Sequence, residues 1–218
     1  MTGQTSAMMA LRDPDIRLML AVRGGDQATF GELVERYQHR LVGVMNHLVG
    51  HPQEAEDLAQ EVFLRVYRTR HKYSPKAKFS TWLFTIANNL ALNSLRARQR
   101  KPVVSLNAFE SGPLGERPEE QLVRDPGAGP MQCVQKAELA ERIRAALDTL
   151  NERQRMAVLL TKFEDMSYAE TAEVMGMTVK AVKSLLSRAR DNLRVTLSGY
   201  VGLEGEPVPQ AVGHDEEA

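Results

Sequence analysis

The sequence predicts an all-α protein of two small helical domains joined by a flexible linker. Apolar residues recur at three-to-four spacing through most of the chain, and no segment alternates apolar and polar residues as a half-buried strand does. Over residues 102–136 this pattern stops, and Pro, Gly and polar residues cluster without a period. At 218 residues and 43% hydrophobic content, the chain is large enough for two packed cores.

The first predicted domain spans residues 13–101 and follows a loosely structured leader at 1–12. Its apolar periodicity predicts four helices, at about 13–23, 27–49, 53–71 and 81–100. Asp26 is placed to cap the second helix and Ser80 to cap the fourth, and Gly50 ends the second helix. The last helix ends in the basic run RARQRK.

The second predicted domain spans residues 137–197 and precedes an acidic tail, 198–218, whose composition predicts disorder. Its helices are expected at about 137–150, 152–164, 167–175 and 178–197. Asn151 and Thr178 are placed as N-caps of the second and fourth of these helices.

The last two predicted helices have the spacing of a helix-turn-helix. Ser167 and Glu170 form a capping box, and Gly176 lies at the turn, where a positive φ is often needed. Val182 and Leu185 are expected to pack the second helix onto the first. Its opposite side is polar and suits the major groove, through Lys180, Lys183, Ser184, Ser187, Arg188 and Asp191. A helical hairpin with routine packing is the alternative interpretation.

Positive charge is segregated within the first domain. No acidic residue lies between Glu61 and Glu110, and this window of 48 residues holds ten Lys or Arg, although the whole chain has formal net charge zero. Aromatic side chains, including Tyr73 and Trp82, lie among these cations. Cations that follow phosphates and rings that stack on exposed bases suit single-stranded nucleic acid. A solvated basic face over an ordinary aromatic core explains the window equally well.

Other features argue against several classes of protein. The single Cys133 lies in the predicted linker, excludes an intrachain disulfide and is typical of a reducing compartment. No signal pattern and no apolar run near ~18 residues occurs, so we expect a cytoplasmic protein without membrane insertion. His47 and His51 have the spacing of a zinc pair, but Gly50 ends the helix between them. Without a glycine-rich phosphate loop either, we expect no metal, cofactor or catalytic site.

Two blocks carry a resemblance to a known family. Residues 54–63 (EAEDLAQEVF) and 79–89 (FSTWLFTIANN) closely resemble region 2 of bacterial RNA polymerase sigma factors, and residues 137–197 resemble region 4. The small extracytoplasmic-function (ECF) class, which has no domain between these regions, is the best match. The resemblance implies a non-catalytic subunit that binds core RNA polymerase, recognises the −35 and −10 promoter elements and aids strand opening. It also implies an anti-sigma factor as a partner.

The resemblance implies roles for three groups of residues. The helix that docks on the clamp helices of the polymerase's largest subunit matches Asp57, Leu58, Gln60 and Glu61. The surface that captures a flipped −10 base and follows the upstream duplex matches Tyr73, Lys76, Lys78, Asn89, Arg96, Arg98, Arg100 and Lys101. The −35 recognition helix matches Lys180, Lys183, Ser184, Ser187, Arg188 and Arg190. Leu185 and Ser187 differ from several relatives, so the −35 sequence itself is not carried over.

Two other functions are compatible with parts of this pattern. A helix-turn-helix repressor or activator that binds only duplex DNA would explain the second domain, but not the aromatic basic loop or the acidic docking face. A sigma-like regulator that mainly binds another protein is the other alternative. Co-purification with core polymerase discriminates the first of these from a sigma factor.

Overall fold

The computed structural model describes residues 13–100 and 130–201, with side chains over 13–100 and 138–198. Within these ranges the chain forms eight α-helices and no strand, which confirms the predicted all-α fold class. The leader, Lys101, residues 102–129 of the predicted linker and the tail after residue 201 lie outside the described residues. None of the described helices is long and apolar enough to cross a lipid bilayer.

The first unit contains four helices, in the order predicted. They are α1 Pro14–Arg23, α2 Gln27–Val49, α3 Pro52–Thr69 and α4 Phe79–Arg100, with a 3-10 turn at Arg70–Lys72. Asp26 caps α2 as expected, because its carboxylate accepts a hydrogen bond from the backbone N–H of Thr29 at 3.2 Å. Gly50 ends α2 with a φ of 72°, a left-handed conformation that favours glycine.

The start of α4 differs from the prediction. The helix begins at Phe79, so Ser80 lies inside it and is not its cap. The backbone N–H of Phe79 instead donates to the Asp13 carboxylate at 3.0 Å. The same carboxylate accepts from Asp15 N–H at 2.9 Å at the start of α1. One acid therefore satisfies backbone donors of two helices that are far apart in sequence.

The second unit contains the other four helices. They are α5 Pro130–Asp148, α6 Glu152–Lys162, α7 Tyr168–Met175 and α8 Val179–Val201. The caps at Asn151 and Thr178 and the capping box at Ser167 are confirmed, and Asn151 also forms a capping box with Gln154. Gly176 has the expected positive φ, 61°. These local signals set three of the four helix starts.

Helix α5 begins at Pro130, seven residues before the predicted start at 137. The predicted linker, 102–136, is therefore too long at its C-terminal end, and Cys133 lies in a helix. Proline is favoured in the first turn of a helix, and no further Pro or Gly occurs up to Asp148.

Packing in the helix-turn-helix also differs in one detail. The buried stripe of α8 is Val182, Leu186 and Ala189, which recur at helical spacing. Leu185, predicted to pack α8 onto α7, is only partly buried. The polar face of α8 remains on the opposite side.

The two units contact each other along two pairs of helices. Helix α4 of the first unit packs against α7 of the second, and α2 packs against α6. The buried apolar side chains form one cluster that includes residues of both units. The sequence predicts two domains but not this contact between them.

Candidate functional site

A cavity of about 590 Å³ lies between the loop after α3 and the outer face of α4. It brings together three of the residues predicted to bind the −10 element, namely Tyr73, Lys76 and Asn89. Trp82 also lines it. Basic, aromatic and amide side chains thus share a cavity large enough for a nucleobase, as binding of an unpaired base requires.

Tyr73 forms part of the cavity wall. The residue is only 5% exposed, and its ring lies 4.8 Å from that of Trp82, centroid to centroid. Arg23 Nη1 donates to the Tyr73 carbonyl at 3.0 Å. Burial raises the pKa of the Tyr73 hydroxyl well above its usual range, and that hydroxyl makes no hydrogen bond within the described part of the chain. In this arrangement Tyr73 has no free ring face, so its role as a stacking residue stays a prediction.

The predicted DNA-contacting cations have different surroundings. Lys76, Arg96 and Arg100 are exposed. Lys78 pairs with Glu170 at 2.9 Å, and Arg98 donates to the Val49 carbonyl at 2.9 Å. Lys101 lies outside the described residues.

Arg98 has a structural role that the sequence did not indicate. Besides its bond to the carbonyl at the end of α2, its guanidinium pairs with Glu54 in the first turn of α3. It therefore ties the C-terminal half of α4 to the α2–α3 junction. The DNA role predicted for Arg98 stays a prediction, and it competes with these bonds.

The predicted polymerase-docking residues lie on α3, but not all on one surface. Asp57 and Gln60 are exposed, and Glu61 pairs with Arg65 at 2.8 Å. Leu58 instead turns partly inward and packs against the core. The acidic face therefore consists of Asp57, Gln60 and Glu61 without Leu58.

An apolar groove of about 420 Å³ adjoins this acidic face, between α2 and α3. Gln60 lies in its lining, together with Phe30, Val34, Phe63 and Leu64. Leu64 is 48% exposed, which is unusual for a large apolar side chain. Phe30 and Val34 follow the apolar periodicity of α2 but are only partly buried. The apolar stripe of α2 is wider than one buried face requires, and this extra width is the sequence signal that could have indicated the groove.

The polar face of α8 is open along its length. All six residues predicted for −35 recognition are exposed, namely Lys180, Lys183, Ser184, Ser187, Arg188 and Arg190. Helix α7, with buried Ala172 and Val174, packs against the side of α8 opposite this polar face. A rigid helix with an exposed polar face is the arrangement that a helix-turn-helix presents to the major groove.

Two acidic side chains of α7 lie against the basic cavity of the first unit. Glu170 pairs with Lys78, and Glu173 lines the cavity. Partial burial raises the pKa of Glu170, but hydrogen bonds from Lys78 and Ser167 together outweigh it and lower that pKa. The Glu170 carboxylate is therefore charged at neutral pH.

The two histidines belong to no cluster of possible metal ligands in the described part of the chain. His47 is buried, and its carbonyl accepts from Arg155 Nη1 at 2.6 Å. Among the described residues no group of three or more His, Cys, Asp or Glu is arranged to hold a metal ion.

Family models match most of both units. Residues 33–101 match sigma-70 region 2, and residues 140–193 match sigma-70 region 4. These regions and the helix-turn-helix define the class of protein, a sigma-70-type subunit of bacterial RNA polymerase. The resemblance found at residues 54–63 and 79–89 is thus confirmed.

Individual relatives narrow the class further. The ECF RNA polymerase sigma factor SigW of Bacillus subtilis is 34% identical over 176 residues, which cover 81% of this chain and 92% of that protein. The RNA polymerase sigma-H factor of Pseudomonas aeruginosa is 34% identical over 183 residues, 84% of this chain and 93% of that one. The fold is similar to that in the solved structure of CnrH in complex with the cytosolic domain of CnrY, with TM-score 0.59, 26% identity, and coverage of 86% of this chain and 99% of that chain. The chain belongs to the ECF RNA polymerase sigma factors, which direct promoter-specific transcription initiation.

Proposed function

We propose that this sigma factor divides its work among three surfaces. The acidic face of α3 and the adjoining groove bind core polymerase, the cavity beside α4 holds the opened −10 strand, and the exposed face of α8 reads the −35 element. The observation that carries the proposal is that residues scattered over 73–89 line one cavity of basic and aromatic character. The protein itself needs no catalytic site, because the polymerase supplies the chemistry.

Charge and shape support the polymerase-docking surface. Asp57, Gln60 and Glu61 offer carboxylates and an amide to a basic partner, and Leu64 with the groove offers apolar area beside them. Interfaces of this kind combine an apolar centre with a polar rim, in which charge complementarity sets specificity. Such a surface suits a pair of helices that present cations around an apolar ridge.

Energetics indicate why the cavity works only with polymerase. Duplex stacking is worth about 1.4 kcal/mol per step, so opening roughly ten pairs costs on the order of 14 kcal/mol. Stacking of one captured base returns about 1–3 kcal/mol. The captured base therefore offsets a small part of the cost, and the polymerase channel must hold the separated strands.

The setting of this activity follows from its partner. We propose that the protein acts in the cytoplasm, where core polymerase and promoters are, and that an anti-sigma factor regulates it. Support for the regulator is that CnrH, a structural relative, was solved in complex with the cytosolic domain of CnrY.

Reconstituted transcription tests the proposal. Core polymerase would be assayed on a genomic promoter library with and without the full-length protein, and the new 5′ ends sequenced. We expect new transcripts whose templates share sequence near positions −35 and −10. Transcript sets that are identical with and without the protein would contradict the proposal.

A further inference from the structure

We propose that the polar face of α8 binds a second occupant besides DNA, namely the acidic segment at residues 202–218 that follows this helix. While it lies there, the acidic segment takes the place of DNA phosphates on the exposed cations of the face. It therefore lowers the affinity of the free protein for duplex DNA of any sequence. The inference rests on the proposed role of the α8 face as a surface that contacts DNA.

The cations of α8 differ from those of other helices because they have no acidic partner. On α2, α3 and α5 an arginine pairs with a glutamate one turn away. Asp191 is the one acidic residue in the sequence of α8. Five exposed Lys or Arg side chains of α8 form no ion pair within the described part of the chain, namely Lys180, Lys183, Arg188, Arg190 and Arg194. Such an excess of exposed positive charge attracts an anionic partner.

The five cations share one side of α8. With about 100° per residue they fall within a sector of roughly 160°. The buried stripe that includes Val182 and Ala189 lies on the opposite side. The strip of cations runs for about 21 Å from Lys180 to Arg194, since a helix rises 1.5 Å per residue. A strip of this shape suits an extended anionic chain.

The segment that follows α8 carries the complementary charge. Residues 202–218 contain five acidic residues and no Lys or Arg. The acids form two groups, Glu204 with Glu206 and Asp215 to Glu217. Gly202 follows Val201 directly, and glycine at such a place favours the left-handed turn with which many helices end. That turn would direct the chain back along the helix that it has just left.

The length of the acidic segment is sufficient for this path. From Val201 back to Lys180 the helix measures about 32 Å. The 17 residues at 202–218 span up to about 58 Å when extended, so the second acidic group can reach the start of α8. Because the segment is joined directly to α8, its carboxylates are present there at an effective concentration in the millimolar range.

The basic cavity of the first unit is a less favourable site for these acids. Glu173 lines that cavity, and Glu170 already pairs with Lys78 beside it. A further carboxylate would therefore meet like charge there. The α8 face has one acid among five cations and lies next to the start of the segment. Charge and proximity thus both favour α8.

Occupation of the face would lower DNA affinity without changing which sequence is preferred. Any duplex that binds the face must displace the acidic segment, so the same cost applies to every sequence and the differences between sequences remain. Each contact between an exposed carboxylate and an exposed cation is weak and is screened by salt. We therefore expect a modest effect that disappears at high salt.

The first measurement locates the acidic segment in the full chain. A nitroxide spin label is attached to Gly213→Cys, with Cys133→Ser to remove the native thiol, and the broadening of backbone amide signals is measured by NMR. We expect strong broadening from Lys180 to Arg188 at about 50 mM salt and its loss at about 500 mM salt. Broadening around Lys76 instead, no broadening on α8, or broadening that is equal at both salt concentrations would overturn the proposal.

The second measurement compares DNA binding after equal changes in net charge. We expect the test variant to bind a random-sequence duplex of about 20 base pairs about fivefold more tightly than wild type at low salt, and the control to stay within about twofold. The test variant neutralises the acidic segment through Glu204→Gln, Glu206→Gln, Asp215→Asn, Glu216→Gln and Glu217→Gln. The matched control neutralises five exposed acids of the second unit through Glu138→Gln, Glu141→Gln, Asp148→Asn, Glu152→Gln and Asp165→Asn.

Equal gains in affinity in the two variants would mean that net charge, and not a bound segment, controls the effect, and would overturn the proposal. Unchanged affinity in the test variant would overturn it as well. Failure of this inference is distinguishable from failure of the proposed function. A segment that stays off α8, in a protein whose Lys183→Ala and Arg188→Ala variants lose −35 binding, refutes only the inference. A segment that binds α8, in a protein whose same two variants retain full promoter binding, refutes the proposed role of the face.

Discussion

The −10 cavity and the −35 face are both expected to contact DNA, yet they are built from different numbers of structural elements. The α8 face is a single helix side whose six predicted residues are all exposed. The cavity is assembled from a loop, α4 and an acid of α7, and one of its neighbouring cations is already paired with the second unit. A surface built on one helix is available as soon as that helix folds, whereas a surface built from several elements can be opened or closed by moving one of them.

The largest expected effect comes from variants that lose polymerase binding, because both DNA-contacting surfaces then lose their role at the promoter. Asp57→Lys with Glu61→Lys reverses two charges outside the core, at one exposed and one half-buried position, so the fold should survive. We expect the affinity for core polymerase to fall by about a hundredfold or more, because two new cations would face a basic partner. Pull-down and run-off transcription with core enzyme measure this loss.

A matched control exists on α5. Glu138 pairs with Arg142 at i,i+4 spacing, as Glu61 does with Arg65, and Glu141 is exposed nearby. Glu138→Lys with Glu141→Lys makes the same change in net charge outside the proposed interface and should bind polymerase normally. If both double variants lose binding equally, the docking face on α3 is wrongly assigned.

Strand opening should depend on the cavity more than duplex recognition does. Lys76→Ala with Asn89→Ala removes two exposed cavity residues without disturbing the core. We expect open complex to fall by about tenfold or more, since a captured base is worth about 1–3 kcal/mol, while closed complex stays within a few-fold. Permanganate reactivity of unpaired thymines, beside a footprint of the −35 region, separates the two.

Tyr73 needs a gentler change because it is buried. Tyr73→Ala would remove an aromatic ring from the wall and destabilise the fold by about 3 kcal/mol or more, which confounds any effect on DNA. Tyr73→Phe removes only a hydroxyl that makes no hydrogen bond in the described residues. We expect it to leave stability and open complex almost unchanged. A strong open-complex defect in the Phe variant would show that the hydroxyl contacts DNA.

Base contacts and phosphate contacts should separate by their dependence on sequence and salt. Lys183→Ala or Arg188→Ala is expected to weaken binding of the −35 element by about 1–3 kcal/mol, mainly for the preferred sequence. Arg96→Ala with Arg100→Ala should weaken binding nearly equally for all sequences and reduce the salt slope. Titrations of holoenzyme on matched and scrambled promoters at several salt concentrations test this. A sequence-selective loss from Arg96 and Arg100 would mean that the roles are reversed.

Arg98 is left out of that pair because it stabilises the first unit. Its bonds to Glu54 and to the Val49 carbonyl hold α4 on the α2–α3 junction. We expect Arg98→Ala to lower the melting temperature, whereas Arg96→Ala should not. Equal melting temperatures for the two variants would mean that Arg98 does not stabilise the fold and is as available to DNA as Arg96 is.

Local signals were sufficient for much of the fold. The caps at Asp26, Asn151 and Thr178, the capping box at Ser167 and the positive φ of Gly176 all depend on neighbours within four residues, and all were predictable. The polar face of α8 follows from helical spacing alone. These features do not depend on contacts with distant parts of the chain.

Features that depend on distant partners were not predictable. Asp13 caps α4 from 66 residues away, and Glu54 engages Arg98 from 44 residues away. Leu58 and Leu185 lie at the edges of apolar stripes, where periodicity does not decide which side faces the core. The helix faces that form the contact between the units would face solvent in an isolated unit. The apolar periodicity of each helix therefore does not reveal this contact.

The smallest expected effect concerns the ion pair between Arg40 on α2 and Glu164 just after α6, which joins the first unit to the second. This effect depends on pH. Burial raises the pKa of Glu164 above its ordinary value, and the opposing attraction of Arg40 does not cancel this. The folded chain therefore binds this proton more tightly than the unfolded chain does. The contribution of Glu164 to stability is fully present below its ordinary pKa and is lost as pH rises through the raised one. Thermal unfolding of wild type and Glu164→Gln at several pH values should show wild type losing stability relative to the variant as pH rises from about 4.5. A wild-type melting temperature that instead gains on the variant over that interval would mean that the pair with Arg40, and not burial, dominates this site.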